Sequence, residues 1–147
     1  MKKLTIALLL AAACLLMSSP AGAARSLDLF GNSYNIFILC ADDVGDYCTS
    51  GKLINDKFIF DGNNFEINSF EEDLGGLLGD GEYSANGFSF NAQYEAIDGI
   101  ATYEFEIKGL NLIDIILFGT IDITYTEFSF PHNITEEGKA LFIGIKS

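Results

Sequence analysis

The chain has 147 residues, 49% of them hydrophobic, with 8 Lys+Arg against 21 Asp+Glu and a net charge of −13 at pH 7. That length suits one domain with one core, and the charge argues against nucleic acid and anionic lipid as partners while permitting a cationic one. With one His, 3 Cys and no Trp, residues that commonly build catalytic and metal centres are scarce.

Residues 1–23 read as a secretory signal peptide. Lys2 and Lys3 precede an apolar run from Leu4 to Met17, too short for a comfortable membrane span, and Ala21-Gly22-Ala23 supplies a small-residue cleavage site. The rival is a lipid anchor at Cys14, because Ala11-Ala12-Ala13-Cys14 loosely resembles a lipobox, although leucine is missing at Ala11. Cleavage after Ala23 leaves 24–147 as a single β-barrel domain with six basic residues against 21 acidic, a charge of −15. The expected location is periplasmic or secreted, with no integral membrane segment in the mature chain. Cys40 and Cys48 survive cleavage, and in an oxidising compartment so close a pair is expected to form a disulfide.

Ser33 to Cys40 is apolar and β-branched enough for a buried first strand. Lys57–Phe60 and Phe65–Ser69 form a hairpin around Asp61-Gly62-Asn63-Asn64, with Phe60 facing Phe65, Phe58 facing Ile67 and Ile59 facing Glu66. Phe70 to Asp80 breaks the alternation and reads as a helical turn or a loop, with Leu74, Leu77 and Leu78 plugging one end of the core.

Gly81 to Lys108 carries the clearest pattern, three strands joined by two tight turns. Taking Asn86-Gly87 as a type I′ turn pairs Ser84 with Ser89, Tyr83 with Phe90 and Glu82 with Asn91. Asp98-Gly99 treated likewise pairs Ala96 with Ala101, Tyr94 with Tyr103, Ala92 with Phe105 and Phe90 with Ile107. The opposite face then collects Glu95 with Thr102, Gln93 with Glu104 and Asn91 with Glu106. A connection at Gly109-Leu110-Asn111 would pair Ile107 with Ile113, and a helix from Leu110 to Leu117 is the alternative. Ile121, Ile123 and Tyr125 point inward, 131–138 is a loop, and Ala140 to Ile145 is a last strand able to pair with the first. The expected fold is all-β, an antiparallel up-and-down meander of seven to eight strands closing into a small barrel, with a β-sandwich as the alternative.

The segments GEYSANGFSFNAQY and KFIFDGNNFEI make the chain resemble the lipocalin-like, calycin-type small β-barrels of the bacterial envelope, though the tryptophan of the lipocalin Gly-x-Trp signature is absent. The resemblance implies an apolar ligand held inside the barrel, and the aromatic face offers Phe88, Phe90, Tyr94, Tyr103 and Phe105 to line it. Small exported barrels with one disulfide also include inhibitors of lysozymes and proteases, so a second reading is an interaction module presenting an acidic surface to a basic protein. A third is a small outer-membrane barrel, which would place Glu82, Glu95, Glu104 and Glu106 in its lumen.

No catalytic residues, cofactor or metal are expected. His132 stands in a loop without a partner for a triad, and Glu104 and Glu106 share a face as alternate residues of any acidic strand do. Asp42, Asp43 and Asp46 could suit calcium, but Val44 stands where an oxygen ligand is wanted.

Overall fold

A computed structural model describes residues 29–73 and 79–147. The signal segment 1–23, the lipidation alternative at Cys14 and the plug formed by Leu74, Leu77 and Leu78 lie outside them. The elements in order are β1 (Asn32–Cys40), β2 (Leu53–Asp61), β3 (Asn64–Ile67), α1 (Asn68–Asp73), β4 (Asp80–Asn86), β5 (Ser89–Asp98), β6 (Ala101–Leu112), β7 (Ile116–Glu127) and β8 (Ile134–Lys146). Each strand pairs antiparallel with the next, and β1 pairs with β8 from Tyr34↔Lys146 to Cys40↔Ala140. The sheet is therefore a closed eight-stranded barrel in meander order, which excludes the sandwich.

Alternation sorts the two surfaces. Inward positions such as Ile36, Ile38, Phe58, Phe60, Phe105, Ile107, Ile121 and Ile123 are buried, whereas Glu82, Glu95, Glu104 and Glu106 lie exposed on the outer wall. The carboxylates are thus outside and the apolar side chains inside, the reverse of a transmembrane barrel with a polar lumen. No described helix is long and apolar enough to cross a membrane.

The β2–β3 hairpin pairs Phe60↔Phe65, Phe58↔Ile67 and Ile59↔Glu66, as its sequence predicts, but the strand ends at Ile67, where α1 begins. The next two hairpins keep their predicted faces and shift their register. Gly87-Phe88 and Gly99-Ile100 are the central residues, so Asn86 pairs with Ser89 and Asp98 with Ala101. Gly87 and Gly99 have φ of 63° and 58°, while Phe88 and Ile100 are not among the positive-φ residues, the signature of type II′ turns rather than the expected I′.

The observed register sets four large inward side chains against small ones, although Tyr94 also faces Phe105 and Tyr103 faces Tyr125. Tyr94 stands across from Gly81, Phe90 from Gly109, Tyr83 from Ala92, and Tyr103 from Ala96. A Cβ at Gly109 would overlap the Phe90 ring, and one at Gly81 would overlap the Phe65 carbonyl oxygen. The expected register would instead oppose Tyr83 with Phe90 across β4–β5, which a narrow eight-stranded interior accommodates less well. Across β5–β6 either register opposes one pair of rings, Tyr94 with Tyr103 as expected or Tyr94 with Phe105 as observed.

Farther along, β6 continues to Leu112 and β7 starts at Ile116, so Ile107 pairs with Ile121 and Phe105 with Ile123. The connection is Ile113-Asp114-Ile115, not Gly109-Leu110-Asn111, and 110–117 is not a helix. The loop expected over 131–138 is shorter, because β8 begins at Ile134.

Candidate functional site

Cys40 and Cys48 form the expected disulfide, with their Cα atoms 5.6 Å apart. The loop they close folds over one end of the barrel. Val44 is fully buried there, and the Tyr47 ring lies 5.0 Å from Phe70 and 5.3 Å from Phe105. The Tyr47 hydroxyl donates to Asp56 Oδ2 at 3.0 Å, and the same carboxylate accepts from the Ser69 hydroxyl at 2.6 Å and the Ser69 amide at 3.1 Å. Burial first, and then the Asp56 charge, holds the Tyr47 hydroxyl well above its ordinary pKa. Asp42 accepts from the Lys139 amide at 2.9 Å and Asp43 from the Ser50 amide at 2.7 Å, so these carboxylates pin the loop. His132 is exposed in the loop between β7 and β8.

At the opposite end, Leu29 and Tyr34 are buried, with Tyr34 edge-on to Phe60 at 5.9 Å. Burial and then the nearby Asp114 carboxylate push the Tyr34 hydroxyl up to about 12. Among the described residues, that hydroxyl and the side-chain amide of buried Asn111 have no hydrogen-bond partner.

Between these ends, the five residues expected to line a ligand pocket divide. Phe88 is the second residue of the β4–β5 turn and is 47% exposed, so it does not join the interior wall. Phe90, Tyr94, Tyr103 and Phe105 are buried together. Phe90 packs on Phe60 at 5.7 Å and Phe142 at 6.3 Å, while Tyr94 meets Phe65 at 6.2 Å and Phe70 at 6.0 Å. Tyr103 lies 5.5 Å from Phe70 and 4.9 Å from Tyr125, and its oxygen accepts from the Asp46 amide at 3.0 Å. At these centroid separations the rings occupy one another's contact positions.

A concave feature rich in carboxylates lies on the outside. A groove of about 510 Å³ runs across β4–β7, lined by Asp80 and Glu82, Gln93 and Glu95, Glu104 and Glu106, and Asp122 and Thr124. The register sets carboxylates directly opposite one another at Asp80↔Glu95, Glu95↔Glu104 and Glu106↔Asp122. Such like-charge pairs disfavour strand pairing by roughly 0.2–1 kcal/mol each. Lys108 meets Glu106 at 2.9 Å and Lys139 meets Asp122 at 3.5 Å, both on exposed side chains. The Glu106 hydrogen bond, and then its charge, raises the Lys108 pKa. Asp80, Glu82, Glu95 and Glu104 are left without a salt bridge among the described residues.

Sequence pairing missed this groove, because it placed Glu95 against Thr102 and Gln93 against Glu104. A shift of two residues changes neutral neighbours into carboxylates without moving any side chain to the other face. Compared with family models, curated proteins and solved structures, the chain matches none.

Proposed function

We propose that this protein is an exported, non-enzymatic binding barrel that recognises a basic protein through the acidic outer wall of β4–β7. The observation that carries this reading is the run of directly opposed carboxylates Asp80↔Glu95 and Glu95↔Glu104 in one concave wall, three groups without a salt bridge among the described residues, whereas Glu106 and Asp122 already meet Lys108 and Lys139. Solubility alone calls for dispersed charge, whereas this arrangement concentrates unfavourable repulsion that a cationic partner would relieve. The disulfide and the signal-like N-terminus favour an oxidising compartment. An apolar ligand inside the barrel is the weaker reading, since Phe90, Tyr94, Tyr103 and Phe105 fill the interior with one another. An outer-membrane barrel would have to set the carboxylates of β4–β6 against lipid, a cost of several kcal/mol.

Lysozyme is a suitable basic probe. Its association should weaken steeply as salt rises from about 10 mM to about 150 mM, where the Debye length contracts from about 30 Å to about 8 Å. A Glu95→Gln, Glu104→Gln variant should bind more weakly while becoming more stable by roughly 0.5 kcal/mol. Absence of binding at low salt, or binding untouched by the variant, would remove the proposal.

A further inference from the structure

The wall away from the groove has the opposite character. Outward residues of β2, β1, β8 and β7 form two largely apolar rows and part of a third: Leu53, Leu39 and Leu141; Phe37, Ile143 and Phe118; and Ile145 and Ile116. Six of these, Leu53, Leu39, Leu141, Phe37, Ile143 and Ile145, are between 39% and 58% exposed. At roughly 170 Å² for a fully exposed side chain of this size, they present about 500 Å² of apolar surface. The rows interpose Asn35, Asn55 and Thr120, with Lys57 at the margin, and contain no carboxylate.

We infer that this face is a homodimer interface, in which a second copy of the chain packs its β1–β8 wall against the first. Area supports a partner of this kind. A standard interface buries about 800 Å² per side, and a homodimer interface is about 65% apolar, which calls for about 520 Å² of apolar surface. Net charge of −13 opposes pairing of two copies, and this face keeps that cost low because the acidic groove lies on β4–β7. Meeting through outward rows that hold no carboxylate, with Asp56 of the adjoining hollow bonded to Tyr47 and Ser69, keeps the two grooves apart and leaves each open to its own partner.

Shape is consistent with a two-fold contact. A hollow of about 630 Å³ between β1, β2 and α1, lined by Asn35, Phe37, Asn55, Asp56, Lys57 and Ser69, lies across β1 from the outward residues Leu141, Ile143 and Ile145 of β8. In an isologous pair each copy offers both the ridge and the hollow. Barrel closure leaves β1 and β8 hydrogen-bonded to each other, so the copies join by side chains and not by adding a strand.

Sedimentation velocity of the purified protein between about 1 µM and about 1 mM, with no basic protein present, tests the inference. The expected result is a monomer–dimer equilibrium that tightens with salt, because screening reduces repulsion between the acidic copies. The groove association runs the other way, so failure of either reading leaves the other standing. Ile143→Glu should weaken dimerisation about 100-fold or more by placing a charge at the centre of the face, with circular dichroism reporting that the barrel is intact. The milder Leu141→Thr should weaken it less, and Phe130→Ser, which alters a fully exposed side chain outside the face, should leave it unchanged. A monomer across the whole concentration range would overturn the inference, as would a dimer indifferent to both Ile143→Glu and Leu141→Thr. Flotation of monomer with phosphatidylcholine vesicles, abolished by Ile143→Glu, would also overturn it by assigning the face to lipid.

Discussion

Ile113 shows how a single residue can be held against its own preference. It has φ of 50° and Asp114 has φ of 59°, the left-handed region, which is unfavourable for a β-branched side chain. What holds the turn lies largely outside it. The Ile115 amide donates to the Leu112 carbonyl at 3.2 Å, the Ile115 carbonyl accepts from the Lys146 amide at 2.8 Å, and Lys146 Nζ reaches Asp114 at 3.2 Å. Ile113 is 55% exposed, so little packing depends on it. Ile113→Asn should therefore stabilise the protein by about 1 kcal/mol, the scale of the left-handed penalty for an L-residue. Urea denaturation should show a higher midpoint with an unchanged slope, and a lower midpoint would mean the isoleucine side chain contributes more than its strain. Local residue chemistry points instead to Gly109 and Asn111, both turn formers, and the register of β7 on β8 overrides them.

Among the elements, the disulfide loop illustrates a closure with several independent ties. Besides the covalent link, Gly45 donates to Glu136 at 2.7 Å, Tyr47 donates to Asp56 at 3.0 Å, and the Val44 amide donates to the Cys48 carbonyl at 2.8 Å. Replacing Cys40 and Cys48 together by serine should lower stability by about 2.5 kcal/mol, the chain-entropy value for so short a loop. A loss below about 0.5 kcal/mol in chemical denaturation would show that the hydrogen bonds hold the loop without the bridge. The pair itself is legible from spacing and compartment, whereas its partners are not: Asp56 depends on the register of the β1–β2 hairpin, and Glu136 comes from β8, which only barrel closure brings to the loop. The β5–β6 hairpin teaches the same lesson. Its faces and the neighbourhood of its turn are readable, but the turn residues, and with them which carboxylate meets which, follow from the register the closed barrel adopts.

For the whole molecule, tyrosines near both ends give a common response to alkali. Tyr34 is raised to about 12 by burial and Asp114, Tyr125 to about 12 chiefly by its 2.8 Å hydrogen bond to Glu127, and Tyr47 is raised by burial and Asp56. Each folded pKa exceeds the unfolded value of 10.0. Above pH 10 the unfolded chain therefore releases protons that the folded chain retains, and stability falls as pH rises. The contribution is fully present below pH 10 and is lost through about pH 12. Tyrosinate absorbance should lag behind that of the denatured protein and then rise together with loss of near-ultraviolet dichroism. Titration of all tyrosines near pH 10 with the fold intact would refute this.

Period-two alternation, glycine turns and the spacing of Cys40 and Cys48 determined by themselves that this chain is a meander with an aromatic inside and an acidic outside. Those signals are local, and they survive any register error of two residues. Tertiary structure alone decided the opposed carboxylates of the groove, the exclusion of Phe88 from the interior and the apolar wall across β1 and β8. The physical reason is that each depends on which strands meet and in what register, and this is set by filling a closed barrel whose first and last strands lie at opposite ends of the described chain.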